Sequence, residues 1–225
     1  MRDPLPLNIK KFTVLDRQEI ESLSREFANV IYMGDHLLLC KVLARYKLFI
    51  DSRDLSLTPH LSMDGFWESW ITRFFMKIIK PGFVCIDAGA NFGYYSLLFS
   101  ELTGREGKTI AIEANSELCR LLRNTSAVNE FGFHVVHKAV ADVEKEMILS
   151  VPGNFWGGGH VIKEINTASN EAQEKVTADS LDHIAEQLQL PKVDLIKIDC
   201  EGQEPIVLKG MAKILERNPH VKIVM

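Results

Sequence analysis

The hydrophobic pattern of the chain changes near residue 80. Before this point apolar positions fall in short, separate runs, whereas beyond it apolar segments of strand length alternate with amphipathic segments. Residues 20–31 show a weak helical periodicity. The apolar runs at residues 37–42 and 46–50 are compatible with β-structure, and we expect them to form a hairpin.

Aromatic and aliphatic side chains recur at helical spacing in residues 67–78. Asp64 is the predicted cap of this helix, and Pro81 with Gly82 is its predicted stop. We interpret the aromatic stripe as core packing, because a buried helix face has the same pattern. A substrate-binding wall is the alternative interpretation.

From residue 82 onward, predicted strands and helices alternate. The predicted strands are residues 83–87, 108–113, 133–140, 193–199 and 221–225. The predicted helices are residues 93–102, a helix capped by Ser116, residues 181–188, and a helix that starts at Pro205 and runs towards Arg217. This alternation predicts βαβ units and therefore an α/β fold with a mostly parallel sheet and helices on both faces.

One segment interrupts this alternation. Residues 147–151 and 160–165 have the pattern of two hairpin strands, and a glycine-rich loop at residues 152–159 joins them. Residues 166–175 are polar, and we expect a mobile loop there. An insertion near the ligand-binding edge of a sheet often forms part of a substrate pocket. We therefore expect this β-hairpin insertion to lie beside the functional site.

The length of 225 residues suits one main domain with an accessory element. We expect an N-terminal hairpin and helix extension at residues 1–65 and a ligand-binding domain at residues 66–225. The chain stops inside an apolar strand, which would leave an open sheet edge. We expect either that the polypeptide is incomplete at its C-terminus or that a partner covers this edge, as in a domain swap or a homo-oligomer.

Charge and composition narrow the class of function. The net charge is −4 and the pI is about 6.0, which gives no overall basic footprint for nucleic acid. The first eleven residues have no apolar core of signal-peptide length, and the apolar runs are too short to span a bilayer. The four cysteines are scattered without a C-x-x-C pair, which disfavours a zinc site or a disulfide framework. We therefore expect a cytoplasmic protein with no membrane span.

The segment at residues 84–93 is the most specific motif in the chain. An apolar strand ends in Asp87, a turn with Gly89 follows, and Gly93 opens a helix. α/β folds hold nucleotide-like ligands at such a turn. A carboxylate beside the turn would repel a dinucleotide pyrophosphate but suits a cationic amino acid. The pattern D-x-G-x-N-x-G therefore indicates S-adenosylmethionine rather than NAD.

Candidate cofactor-binding residues lie at the ends of the predicted strands. Asp87 would anchor the amino-acid part of the cofactor, and Gly89 and Gly93 would allow close backbone approach. Glu113 lies about twenty residues after Gly93 and ends the second strand, where a carboxylate can accept both ribose hydroxyl protons. The full candidate set is Asp87, Gly89, Asn91, Phe92, Gly93, Tyr94, Tyr95, Ser96, Glu113, Ala114, Asn115, Val140, Ala141 and Asp199.

Three side chains are candidates for catalysis. Asp199 and Glu201 follow the fourth strand, where Asp199 would orient the acceptor or the methionine amine and Glu201 would accept a hydroxyl proton. His160 has a near-neutral reference pKa and is a second candidate base. Lys197 lies inside the strand and is expected to form an ion pair, with either a structural or a catalytic role. No cluster of residues requires a metal.

Three segments together resemble the FkbM-type methyltransferases. These are residues 87–96, Ile198-Asp-Cys-Glu-Gly202 and Val207-Leu-Lys-Gly210, and the resemblance covers about residues 66–225. It implies the class I Rossmann-like methyltransferase fold. It also implies S-adenosylmethionine as methyl donor, with S-adenosylhomocysteine as product, and a small-molecule acceptor with a hydroxyl group, such as a sugar or polyketide.

The resemblance also implies details that the residues alone do not. Glu68 lies on an upstream helix that would cover the cofactor, which makes it a candidate contact. The chain departs from the family at Cys200, where an aliphatic residue is usual, and it lacks the strands that normally follow the fifth. Some class I O-methyltransferases use a divalent ion, whose ligands here would partly follow Met225.

Two other hypotheses compete with a methyltransferase. An NAD-dependent oxidoreductase can use a similar fold, but Asp87 and the missing G-x-G-x-x-G motif argue against it. A catalytically idle module would keep the fold and serve as a binding or assembly partner. Such a module would hold the cofactor without transferring its methyl group.

Overall fold

The computed structural model describes residues 9–129, 132–162 and 164–225. Residues 1–8 lie outside the described residues. The prediction of an N-terminal accessory element and the prediction that no signal peptide is present both include these residues. Residue 163, which was predicted to belong to the second strand of the inserted hairpin, also lies outside the described residues.

The secondary structure follows the chain in this order. The helices are α1 (Ile9–Phe12), α2 (Arg17–Phe27), α3 (Thr58–Met63), α4 (Ser69–Ile78), α5 (Tyr94–Thr103), α6 (Ser116–Val128), α7 (Leu181–Gln187), α8 (Glu204–Lys209) and α9 (Ala212–Arg217). The strands are β1 (Val30–Gly34), β2 (Leu37–Val42), β3 (Tyr46–Asp51), β4 (Val84–Ala88), β5 (Lys108–Glu113), β6 (His134–His137), β7 (Ala139–Ala141), β8 (Lys145–Val151), β9 (His160–Ile162), β10 (Ala172–Ser180), β11 (Leu195–Ile198) and β12 (Lys222–Val224).

A five-stranded parallel sheet forms the centre of the fold, with the strand order β12-β11-β4-β5-β6. Every residue of β4 and β11 is buried, as expected where helices cover both faces of a parallel sheet. The predicted α/β class is therefore confirmed. Because all strands run in the same direction, the loops after β4, β5 and β11 meet at one edge, where open α/β sheets bind ligands.

The predicted third strand, residues 133–140, is in fact two strands that belong to different sheets. β6 ends at His137 in the central sheet, and after Lys138 the chain enters β7 in a second sheet of order β7-β10-β8-β9. The single-strand prediction was wrong because a continuous apolar pattern does not reveal where the chain changes sheets.

The second sheet contains the predicted hairpin insertion. β8 and β9 pair antiparallel, which confirms the hairpin. The prediction of a loop through residue 175 was wrong, because β10 begins at Ala172 and pairs with β8. The first four residues of β10 are exposed or half-buried on both faces, so polar residues occupy strand positions there.

The N-terminal segment contains a small antiparallel sheet of order β1-β2-β3. The hairpin of β2 and β3 is confirmed, whereas residues 30 and 31 begin β1 rather than continuing the predicted helix. Asp64 does not cap α4. It follows α3 and pairs with Arg25 at 2.8 Å, and α4 instead begins after Glu68, whose backbone is left-handed with φ of 37°.

Two helix boundaries also differ from the prediction. The predicted helix from Pro205 to Arg217 is divided into α8 and α9 around Gly210. A Cβ at Gly210 would lie 2.2 Å from the carbonyl oxygen of Ala141, so this close approach requires glycine. The cap of α6 is Asn115 and not Ser116, since the Asn115 side chain accepts hydrogen bonds from two backbone N–H groups of the first turn.

The residues before β4 pack against helices α5 and α6. Phe75 of α4 makes edge-on ring contacts with Tyr95 and Phe99 of α5, at centroid distances of 5.3 and 4.7 Å. Asn129, which follows α6, binds both backbone groups of Lys47: its Oδ1 accepts from the N–H at 2.9 Å, and its Nδ2 donates to the carbonyl. The division of the chain at residue 65 stays a prediction.

We predict that Asn129→Ala lowers the free energy of unfolding by about 0.5–1.5 kcal/mol, because the Lys47 backbone then exchanges its side-chain partner for water. Urea unfolding followed by circular dichroism measures this change. The control is Asn124→Ala in α6, which leaves the Lys47 contact in place. Equal stability of the two variants would contradict the prediction.

Candidate active site

The loops at the carboxyl edge of the central sheet enclose a cavity of about 370 Å³. This volume is within the usual range for small-molecule sites. Loops after β4, β5 and β11 form one side, and the N-terminal segment and the inserted hairpin form the other. The predicted site residues that line the cavity are Gly89, Asn91, Phe92, Tyr94, Tyr95, Glu113, Ala114, Asn115, Val140, His160, Asp199 and Glu201.

Four predicted cofactor-binding residues lie behind this lining. Asp87 and Ser96 are fully buried, and Gly93 and Ala141 are also covered. The structure therefore brings twelve of the candidates to the cavity surface and places these four in the layer that supports it.

Glu113 joins the two loops that form one wall of the cavity. Its Oε2 accepts the backbone N–H of Asn91 at 2.8 Å, and its Oε1 accepts the backbone N–H of Asn115 at 2.9 Å. Burial raises the pKa of Glu113, while these backbone hydrogen bonds oppose the rise. Each carboxylate oxygen has two acceptor sites, so both oxygens retain acceptor capacity at the cavity.

The turn after β4 requires Gly89 because of backbone packing and Gly93 because of its left-handed backbone. A Cβ at Gly89 would lie 1.9 Å from the carbonyl oxygen of Asp199, and one at Gly93 would lie 2.4 Å from a methyl group of Leu122. Both glycines have positive φ angles, of 75° and 90°. They let the turn pass directly between β11 and α6, which fixes the shape of the cavity floor.

Asp87 and Lys197 form a buried ion pair beneath the cavity. They are register partners on β4 and β11, and Lys197 Nζ lies 3.4 Å from Asp87 Oδ1 and 3.4 Å from Asp199 Oδ2. Ser96 donates a hydrogen bond to Asp87 Oδ2 at 2.6 Å. Burial alone would lower the pKa of Lys197, but the carboxylates of Asp87 and Asp199 raise it, so its ammonium group stays charged.

Tyr94 and Tyr95 connect α4 to the turn at residues 89–93, which is the predicted cofactor turn. The Tyr94 hydroxyl lies 3.0 Å from Thr72 Oγ1, and Tyr95 donates a hydrogen bond to Glu68 Oε2 at 2.8 Å. Lys197 Nζ lies 5.3 Å from the centre of the Tyr95 ring. Both tyrosines line the cavity, and so does Glu68, which places the upstream helix against the site.

Asp199, Glu201 and His160 reach the cavity from two different elements. Asp199 and Glu201 follow β11 and are exposed, while His160 begins β9, where its Nδ1 lies 3.3 Å from the Gly158 carbonyl. Burial, then the charges of Asp199 and Glu204, raise the pKa of Glu201. The three candidates for catalysis therefore line one cavity. The sequence analysis expected this because Asp199 and Glu201 follow a strand and His160 belongs to the hairpin insertion.

Three of the eight non-glycine residues with positive φ in the described part of the chain line this cavity. Glu68, Asn91 and Glu201 have positive φ angles of 37°, 51° and 47°, and all three line the cavity. A left-handed backbone is costly for residues other than glycine and persists at sites where function needs it.

The sequence analysis missed the contribution of residues 54–57 to the site. Ser56 and Leu57 line the cavity opposite the cofactor turn, and no motif marks them. Trp67 also lines the cavity, so the aromatic stripe serves partly as a cavity wall. Elsewhere in the stripe, Phe75 is buried as predicted, but Trp70 is 60% exposed.

The second cavity-lining lysine is also paired. Lys138 Nζ contacts Asp179 Oδ2 at 2.5 Å, and His183 Nδ1 lies 2.9 Å from the same carboxylate. Burial opposes ionisation of Asp179, but Lys138 and His183 hold its pKa below its usual range. Lys138 and Lys197 are therefore both neutralised by buried carboxylates.

In the described part of the chain, no group of three or more histidine, cysteine, aspartate or glutamate side chains is arranged to hold a metal ion. Each helix in this part of the chain is too short or too polar to cross a lipid bilayer.

Comparison with known families gives one match over most of the chain. The model described as the methyltransferase FkbM domain matches residues 87–225, which is more than half of the chain and includes the cofactor turn, Glu113 and Asp199. None of the curated proteins matches the chain.

Several solved structures are similar to parts of the chain. A SAM-dependent methyltransferase from Aquifex aeolicus is 17% identical, with 60% of this chain and 53% of that chain covered and a TM-score of 0.31. The M. jannaschii tRNA m1G37 methyltransferase is 17% identical, with coverages of 56% and 42% and a TM-score of 0.36. Aeropyrum pernix fibrillarin, solved with S-adenosyl-L-methionine, is 10% identical, with coverages of 82% and 73% and a TM-score of 0.39. The chain spans between 38% and 40% of the length of three further structures.

We predict that Lys197→Met lowers the free energy of unfolding at pH 7 by about 3–5 kcal/mol, because it leaves the Asp87 carboxylate buried without its cation. Burial then raises the pKa of Asp87 in the folded state above its value in the unfolded chain. Relative to the wild-type protein, the variant therefore loses stability as the pH rises through the folded-state pKa of Asp87.

Thermal melts between pH 5 and pH 8 measure this effect. The control is Lys192→Met, which removes an exposed lysine paired with Asp194. A Lys197→Met variant as stable as this control, or one whose stability relative to the control does not fall with rising pH, would refute the proposed role of the ion pair.

Proposed function

The chain belongs to the FkbM methyltransferase family, and on that premise we propose that it transfers the methyl group of S-adenosylmethionine to a hydroxyl oxygen of a small metabolite or sugar. The observation that carries the proposal is the position of Glu113. Its carboxylate ends β5, joins the β4 and β5 loops, and keeps acceptor capacity in the cavity.

The residues around the cavity fit this cofactor chemically. Glu113 would accept hydrogen bonds from the two ribose hydroxyls, because its oxygens still have free acceptor sites. The exposed carboxylate of Asp199 suits the ammonium group of the methionine part, whereas Asp87 supports the turn from below through Lys197 and Ser96. The cofactor, when bound, supplies a methyl group on a sulfonium, which is already a strong donor.

The protein therefore has two tasks, to orient the acceptor and to remove its proton. Orientation contributes most, because an activated methyl donor mainly needs in-line alignment with the attacking oxygen. Glu201 is the proposed proton acceptor. Burial and neighbouring carboxylates raise its pKa, which makes it a stronger base. His160 is the alternative base on the opposite side of the cavity.

The charges of the cavity favour an acceptor without phosphate groups. Among the described lining residues, the two lysines are Lys138 and Lys197, and both are paired with carboxylates. A nucleic acid or a phosphorylated sugar would need unpaired cations at the site. This supports an uncharged small-molecule acceptor and argues against nucleic acid.

We predict that S-adenosylhomocysteine binds this protein and that NAD does not, as measured by isothermal titration calorimetry. Glu113→Gln should weaken S-adenosylhomocysteine binding by about tenfold or more, because an amide cannot accept from both loops and both hydroxyls. Glu117→Gln is the matched control, since Glu117 is exposed and paired with Arg120. Binding of NAD alone would favour an oxidoreductase and overturn the proposal.

We predict that Glu201→Gln lowers kcat by about 10²-fold without weakening S-adenosylhomocysteine binding, because general base catalysis typically contributes about 10²–10⁴-fold. The measurement uses methyl-labelled S-adenosylmethionine and a hydroxyl acceptor found by screening. With wild-type protein, the rate should rise with pH through an apparent pKa above that of ordinary glutamate.

If His160→Ala loses the rate and Glu201→Gln does not, the base is His160. Cofactor binding without transfer to any acceptor would indicate an idle module.

A further inference from the structure

Asp54 is a fully buried carboxylate that lies outside the region matched by the family model. Its Oδ2 accepts the backbone N–H groups of Leu57 and Thr58 at 2.9 and 3.0 Å, which caps the start of α3. Its Oδ1 accepts the Ser56 hydroxyl and, at 3.0 Å, the backbone N–H of Trp156. Four donors converge on this carboxylate, and one of them comes from the inserted hairpin.

Three hydrogen bonds connect residues 54–57 with residues 154–157, and we call this set of bonds the latch. Besides the bond from Trp156 to Asp54, Gly157 donates its N–H to Ser56 Oγ at 3.3 Å. In the opposite direction, Leu55 donates its N–H to the Asn154 carbonyl at 2.8 Å. The latch joins segments about one hundred residues apart in the chain.

The latch extends to the cofactor turn through Trp156. One side of the indole stacks against Phe92, with a centroid distance of 6.1 Å and an interplanar angle of 28°. The Arg53 guanidinium lies 5.2 Å from the indole centre and pairs with Asp51. The position of the indole therefore depends both on the latch and on the turn that follows β4.

We propose that Asp54 is a positioning residue for methyl transfer, which fixes one wall of the active site by holding Trp156 against Phe92. The N-terminal segment is then part of the active site. The role of Asp54 in methyl transfer rests on the proposed function, whereas the latch itself can be tested separately.

The wall that the latch assembles is largely apolar. Leu57 from the N-terminal segment and Phe155 and Trp156 from the hairpin loop line the cavity on this side. None of these side chains carries a charge, so they orient a ligand by shape and by exclusion of water. A displaced wall would leave the cavity open to solvent beside the cofactor turn.

Two variants separate positioning from stability. Ser56→Ala removes the side chain that joins Asp54 to Gly157, and it leaves the bonds from Asp54 to α3 in place. Thr58→Val is the matched control, because it removes a hydrogen bond of the same segment, from Thr58 to the Asp51 carbonyl at 2.7 Å, without touching residues 154–157. Asp54→Asn weakens both the cap of α3 and the latch.

The experiment compares S-adenosylhomocysteine affinity, melting temperature and hydrogen exchange of the peptide spanning residues 154–160. We expect Ser56→Ala and Asp54→Asn to lose exchange protection and to bind S-adenosylhomocysteine about three- to tenfold more weakly. Thr58→Val should lower the melting temperature while keeping both the affinity and the protection.

The outcomes separate the latch from the proposed function. Unchanged protection and affinity in both Ser56→Ala and Asp54→Asn would overturn the inference. An affinity loss in Thr58→Val that equals that of Ser56→Ala would reduce Asp54 to a structural residue and would also overturn it. Failure of the wild-type protein to bind S-adenosylhomocysteine would instead refute the proposed function, and the exchange data would still test the latch.

Discussion

The buried ion pair between Asp87 and Lys197 is the constraint around which the site is organised. The two side chains are register partners on neighbouring parallel strands, in a sheet whose buried residues are mostly apolar. A charge at either position alone would carry a large desolvation penalty. The attraction between the two charges offsets this penalty, so the burial of each residue depends on the other. The pair also lies directly under the cavity, because Asp87 is the penultimate residue of β4 and Lys197 contacts Asp199 at the cavity surface.

A second layer of contacts converts this edge of the sheet into a shaped cavity. Glu113 binds the backbone of both neighbouring loops, and the close approach at Gly89 presses the turn after β4 onto the end of β11. Tyr95 and Glu68 connect the same turn to the N-terminal segment. These polar groups satisfy one another before any ligand is present, so the cavity is preorganised and binding needs little rearrangement.

The two sides of the cavity differ in how far the sequence predicts their residues. The cofactor side comes from the loops after β4, β5 and β11, where the candidate residues lie at or near strand ends and their places follow from local pattern. The opposite side comes from residues 54–57 and 154–160, which approach each other through hydrogen bonds between backbone groups and the side chains of Asp54 and Ser56. Backbone partners of this kind leave no trace in residue type, which explains why Ser56 and Leu57 were not predicted.

The sequence by itself determined the α/β class, the parallel sheet and the strand–turn–helix unit at residues 84–103, because strand and helix periodicity are local properties of the chain. It also predicted an ion pair at Lys197 from the rarity of lysine in a buried strand. Only the tertiary structure decided that the chain changes sheets at Lys138, that Asp87 lies beneath the cavity rather than on its surface, and that Trp156 packs on Phe92. These features depend on packing between residues far apart in the chain, which no local pattern encodes.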